Sequence, residues 1–206
     1  MALFEEMLRA AVERRRRGAH GPLVLARQIG ALYLEEEHRI VVIRALEDPF
    51  FPLTLFERHH TVVMPTAEET RRAARDLLVL SRMFLRIRKD IDLVLGNERA
   101  TCIHLGGDAR QELPAGQWCS FCGDCCQLPG TVPDPPPDIT YPGYWYSYIA
   151  GAGPLRQRFC PFLFELPPQN RYFCAIHRIK PRTCLRYGLE DCLERHPGKA
   201  SGLPRV

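Results

Sequence analysis

Four cysteines in eight residues, Cys-Ser-Phe-Cys-Gly-Asp-Cys-Cys from Cys119 to Cys126, are the residues best equipped for chemistry in this 206-residue chain. Thiols at that density have few uses other than gripping a metal. Cys160, Cys174, Cys184 and Cys192 follow, while the first 118 residues hold only Cys102. The steps Cys119-x2-Cys122-x2-Cys125 let the chain turn tightly and aim successive sulfurs at one centre. Bacterial ferredoxins use the same step for three corners of a cubane, with a distant Cys-Pro completing a site. Cys160-Pro161 is such a distant pair. Structural zinc sites usually show two C-x2-C knuckles. Here 13, 9 and 7 residues separate the later cysteines, and no second knuckle forms. The spacing therefore favours an iron–sulfur cluster, [4Fe–4S], over zinc, although eight thiolates suffice to enclose two tetrahedral zinc ions. The expected metal ligands are drawn from Cys119, Cys122, Cys125, Cys126, Cys160, Cys174, Cys184 and Cys192. Cys102 reads as a small buried residue and stays outside the set, with His104 as a weaker outsider.

Disulfides are the disfavoured use of these thiols. The amino terminus has Glu5 and Glu6 where a signal peptide is basic, and no apolar core follows them. The expectation is a cytoplasmic protein, where clustered cysteines serve as ligands or redox groups. The neighbours Cys125 and Cys126 also project differently and do not easily share a relaxed disulfide.

The Cys119 to Cys126 cluster, followed by Cys160-Pro-Phe-Leu, by Cys174-Ala-Ile-His-Arg-Ile-Lys-Pro-Arg-Thr-Cys184 and by Cys192, resembles the YkgJ-like CxxCxxCC cysteine-cluster family of zinc- or iron-chelating proteins. The resemblance spans about residues 119–192, gives all eight cysteines a place, and implies metal binding without implying a reaction. That family usually has Tyr three residues after the sixth cysteine, Arg before the proline and Arg directly after the seventh cysteine. This chain has His177, Lys180 and Leu185 there, with Arg186 one place late. An imidazole at His177 can ligate metal or donate a hydrogen bond to sulfur; since the family's Tyr is not a usual ligand, His177 is expected behind the ligands, with Arg178 and Lys180 beside it. A related cysteine pattern looks like that of flagellin lysine N-methylases. This chain is short for such an enzyme and has no Gly-x-Gly-x-x-Gly nucleotide loop.

The elements that must position these thiols are short. Gly123 suits a tight metal loop, where amides face sulfur and positive φ is accessible, or a simple turn. Residues 128–138 are proline-rich and read as an extended loop. Tyr141, Tyr144, Trp145, Tyr146 and Tyr148 then supply aromatic surface, as core or as a shield for a cluster. The runs starting at Cys160 and at Arg171 flank Leu166-Pro-Pro-Gln-Asn, a hairpin that brings Cys160 and Cys174 toward one end. Ile176 to Pro181 leads to Cys184 through a loop and a short helix. Between Arg158 and Lys199 eight basic residues face four acidic ones; cations near thiolates keep them ionised.

The first half reads as a helical platform. Residues 2–17 carry apolar side chains at helical spacing, and the run Arg14 to Arg17 complements the helix dipole at its end. Residues 22–46 are mainly helical in pattern, although Arg39 to Ile43 is β-branched enough for a strand. His59 and His60 are expected in a loop, as surface histidines. Thr66 and Glu69 form a capping box opening a helix to about Leu95. Its buried stripe is Ala74, Leu77, Leu78, Phe84, Ile87, Ile91 and Val94; Arg71, Arg72, Arg75, Arg82 and Arg86 lie off it. Residues 99–118 join the halves, with a short strand and turn around Cys102.

The reading is an α+β protein: a helical platform over 1–100, a join over 101–118, and a small, loop-rich, metal-stabilised cysteine-rich domain over 119–206. Charge is nearly balanced, 28 basic against 24 acidic residues, so there is no clear nucleic-acid signal. There is also no apolar run for a membrane span. No Ser/His/Asp order or paired acidic motif names a reaction. The leading expectation is a [4Fe–4S] protein in electron transfer, or a redox accessory whose partner is a larger enzyme complex. A zinc-stabilised interaction module and a metal or sulfur carrier are the alternatives.

Overall fold

A computed structural model describes residues 35–59, 66–95, 123–127, 130–151, 159–166, 171–187 and 191, without the side chains of 92–95, 125, 166 and 178. Helix 2–17, the join with Cys102 and His104, His60, the hairpin tip 167–170 and Cys119, Cys122 and Cys192 lie outside the described residues. The protein is a mixed helix-and-strand structure in two compact units. The first holds the described residues up to Arg88 together with Phe164–Tyr172, and the second holds Lys89–Leu163 and the residues from Phe173 onward. No described helix is long and apolar enough to cross a membrane.

In the first unit, α1 (Glu36–Glu47) has Glu36 and Glu37 in its first turn and Arg44 in its last, each complementing the helix dipole. Val42, Ile43, Ala45 and Leu46 are buried along it. The β-branched run at Arg39 to Ile43 is therefore helical. Spacing that buries one face outweighs intrinsic strand preference, which is itself mostly a packing preference. Asp48 ends the helix, with its carboxylate accepting the Phe50 amide at 2.9 Å and Arg88 Nε at 3.2 Å.

The short helix α2 (Leu53–His59) ends on His59, which is expected in a loop and is instead helical and half-buried. The cause is distant in sequence. Glu165, 6 % exposed, accepts the Thr54 amide at 2.9 Å and so satisfies an amide of the first turn. Tyr172 shares its hydroxyl with Thr54 Oγ1 at 2.9 Å and accepts from Arg58 at 3.3 Å.

Helix α3 (Ala67–Leu95) opens on the capping box: the Thr66 amide donates to Glu69 at 2.8 Å, and the Glu69 amide donates back to Thr66 Oγ1 at 3.2 Å. Ala74, Leu77, Leu78, Phe84, Ile87 and Ile91 are buried, and the five arginines off that stripe are exposed. The Val94 side chain is outside the described set. Phe84 meets Phe51 edge-on at 5.2 Å and Phe164 at 4.8 Å.

The hairpin forms where the sequence places it, as β1 (Leu163–Leu166) and β2 (Arg171–Cys174) in a two-stranded sheet. In the second unit the aromatic run is helical, α4 (Gly143–Ile149), with Trp145 and Ile149 buried. A second short helix, α5 (Arg182–Leu185), follows a 3-10 turn at His177–Ile179.

Candidate metal centre

The end of the cysteine cluster is a tight turn. Gly123 is buried with φ at +75°, where a side chain would be strained. A 3-10 turn over Asp124–Gln127 follows, carrying Cys125 and Cys126, and the Cys126 amide donates back to the Gly123 carbonyl at 3.0 Å. The positive φ of Gly123 is common to a metal loop and to an ordinary turn glycine.

The Cys160 amide donates to the Cys126 carbonyl at 2.6 Å. This bond fastens the end of the cluster to the distant Cys-Pro across 34 residues of chain. The Cys160 carbonyl accepts the Leu163 amide at 3.0 Å, leading the chain straight into β1. At the open end of the hairpin the Ala175 amide, next to Cys174, donates to the Phe162 carbonyl at 2.8 Å.

Tyr141 is tied to the segment between Cys174 and Cys184. Its ring is 3 % exposed and its hydroxyl donates to the Ile179 carbonyl. Burial first, then the negative potential of Cys174, Cys184 and Asp134, with Tyr146 adding to it, raises the phenol well above its ordinary range. The hydroxyl therefore stays protonated and able to donate. Cys126, Cys160, Cys174 and Cys184 are all half-buried.

Around these thiols the unit is aromatic. Trp145 packs between Tyr141 at 5.5 Å and Phe162 at 4.9 Å, and Tyr144 donates to Asp90 at the end of α3. The Trp145 indole N–H is fully buried and has no hydrogen-bond acceptor among the described residues. An orphaned buried donor of this kind calls for an explanation such as an unseen water, ion or cofactor. His177 is 6 % exposed, Lys180 is half-buried, and the Arg178 side chain lies outside the described set.

Among the described residues no three Cys, His, Asp or Glu side chains form a group able to hold a metal ion. Cys119, Cys122, Cys192 and the side chain of Cys125 are outside that set. Two contributors to the geometry escaped the sequence reading, Asp134 and the tethering hydroxyl of Tyr141. Asp134 does sit in an aspartate-proline step that marks a turn, but nothing local links it to residues 182 and 183. No family model matches the chain, and no curated protein or solved structure matches it.

Proposed function

We propose that the second unit is a thiolate metal centre holding one [4Fe–4S] cluster, and that the protein serves electron transfer or acts as a redox accessory to a larger enzyme system. The observation that carries this reading is the 2.6 Å bond from the Cys160 amide to the Cys126 carbonyl. It brings Cys126, the residue that follows the C-x2-C-x2-C run, to a distant Cys-Pro, and that run with a distant Cys-Pro is the sequence combination that distinguishes ferredoxin-type ligation from a pair of zinc knuckles. Cys119, Cys122, Cys125 and Cys160 are the proposed ligands. When bound, the cluster supplies one-electron exchange at a potential set by its charge, hydrogen bonds and solvent exposure.

The chain's own residues have definite tasks in this scheme. Gly123 gives the turn its positive φ, which leaves backbone amides available to face sulfur. Trp145 has a buried indole N–H without an acceptor among the described residues, a donor that a thiolate would satisfy. The aromatic surface of Tyr141, Trp145 and Phe162 excludes water, which strengthens every electrostatic contact inside. Lys180 and His177 place cationic or N–H groups in the segment between Cys174 and Cys184, where they favour ionised thiolates.

A second reading rests on a different observation. Cys174 and Cys184 flank the turn that Tyr141 tethers at Ile179, whereas the Cys160 amide bonds the Cys126 carbonyl. Two separate thiol pairs suit two tetrahedral zinc ions that only fold the unit. Anaerobic purification followed by iron, acid-labile sulfide and zinc analysis separates the two. Brown protein with iron and sulfide in equal amounts is expected. Colourless protein with about two zinc ions per chain overturns the cluster in favour of the zinc module.

A further inference from the structure

We propose that Asp134 is the positioning residue for Cys184, holding the short helix that presents this thiol; its bearing on metal binding rests on the reading above. Helix α5 has four residues, Arg182–Leu185, and no side-chain cap of its own, because Pro181 stands at its amino terminus. One turn of helix is unstable by itself, since nucleation fixes several residues for a single hydrogen bond. Its first amides also have no partner within the helix.

Asp134, 49 residues upstream of Thr183, supplies acceptors for the first two of these amides. Its carbonyl takes the Arg182 amide at 2.8 Å, and its Oδ1 takes the Thr183 amide at 3.1 Å. The arrangement reproduces an N-cap with a residue from a remote segment. Asp134 is itself held in place, since Pro133 precedes it and Pro135, Pro136 and Pro137 follow it, each with a fixed φ. A second tether, from Tyr141 to the Ile179 carbonyl, fixes the chain just before the helix. The proline-rich segment is therefore a brace for Cys184.

The ion pair between Asp134 and Arg182 adds little. It is 3.7 Å long, and the arginine side chain is 60 % exposed. Capping and charge thus make opposite forecasts for Asp134→Asn, because asparagine keeps the acceptor for Thr183 and loses the charge.

The test is the alkylation rate of each cysteine, read by peptide mass spectrometry on the full chain after chelator treatment. In Asp134→Ala, Cys184 is expected to react about tenfold faster, the scale of a lost cap. Cys126, Cys160 and Cys174 are expected to change less than Cys184, and Asp134→Asn and Arg182→Ala to stay close to the wild-type rate. An unchanged Cys184 rate in Asp134→Ala overturns the proposal, as does an equal rise at all four cysteines, or an Asp134→Asn protein that behaves like the alanine variant. Because the rates are read on metal-free chains, they stand apart from the metal reading. A rise confined to Cys184 in a protein that purifies without metal leaves the brace intact and removes the metal centre.

Discussion

The two units are built from different materials. In the first, α1, α2 and α3 contribute Val42, Leu46, Leu55, Leu77, Leu80 and Ile87, each no more than about 1 % exposed, and phenylalanines close the gaps. In the second, the rings of Tyr141, Trp145, Phe159, Phe162 and Phe173 share a smaller buried set with Ile149, Leu163, Ala175, Ile176 and Ile179, and the helices wholly within it have seven and four residues. Its short segments are also joined by long-range polar bonds: Cys160 to Cys126, Arg182 and Thr183 to Asp134, and Tyr141 to Ile179. Burying apolar area stabilises at about 25 cal/mol per Å² and needs no partner of particular chemistry. Short loops held by single hydrogen bonds gain about 1 kcal/mol from each. The proposed metal centre would add to the second unit directly, because metal-binding free energy becomes folding free energy.

Substitutions can break or sharpen this contrast, beginning with the first unit. Phe84→Ala removes a ring packed on Phe51 and Phe164 and should cost about 3–5 kcal/mol in denaturant unfolding. The loss should be the same with and without chelator; a loss that grows on chelation would erase the distinction between the units.

Thr66→Ala opens the capping box of α3 and should cost about 1 kcal/mol. It also has a pH signature. The Thr66 amide, then the Thr66 hydroxyl, hold Glu69 below its ordinary 4.5. A depressed carboxyl contributes stability that is present above its unfolded value and is lost as pH falls through the folded value. Stability of the wild-type protein should therefore decline on acidification below about that ordinary value, and Glu69→Gln should flatten the decline. An equally steep decline in the glutamine variant would show that other groups cause it.

The smallest effect is expected at Gly143, which opens α4. A Cβ there meets nothing within 4 Å and its φ is not positive. Gly143→Ala should raise the unfolding midpoint, by about 0.5 kcal/mol in stability from helix propensity. A drop would mean that α4 depends on glycine for a reason other than space.

The features legible in the sequence are those whose causes are local. The capping box at Thr66 and Glu69, the apolar stripe from Ala74 to Ile91, the paired strands around residues 167–170 and the positive φ of Gly123 each depend on residues a few positions apart. The elements that were not legible have distant causes. Helix α2 sits between prolines and owes its capped first turn to Glu165, 111 residues downstream of Thr54. Helix α4 reads as an aromatic, glycine-led run of weak helix formers, and burial of Trp145 and Ile149 decides its conformation. Among the site residues the cysteines announce themselves by spacing, while Asp134 acts on a turn 49 residues away and leaves no periodic trace. A polar contact between remote segments has no sequence signature comparable to hydrophobic periodicity.

The most direct measurement of the central claim is metal retention after anaerobic purification in three single variants, Cys122→Ser, Cys125→Ser and Cys102→Ser. The account predicts that the first two lose bound metal and that Cys102→Ser keeps the wild-type content. Equal loss in all three, or full retention in Cys122→Ser and Cys125→Ser, would contradict a metal centre built on the Cys119 to Cys126 cluster.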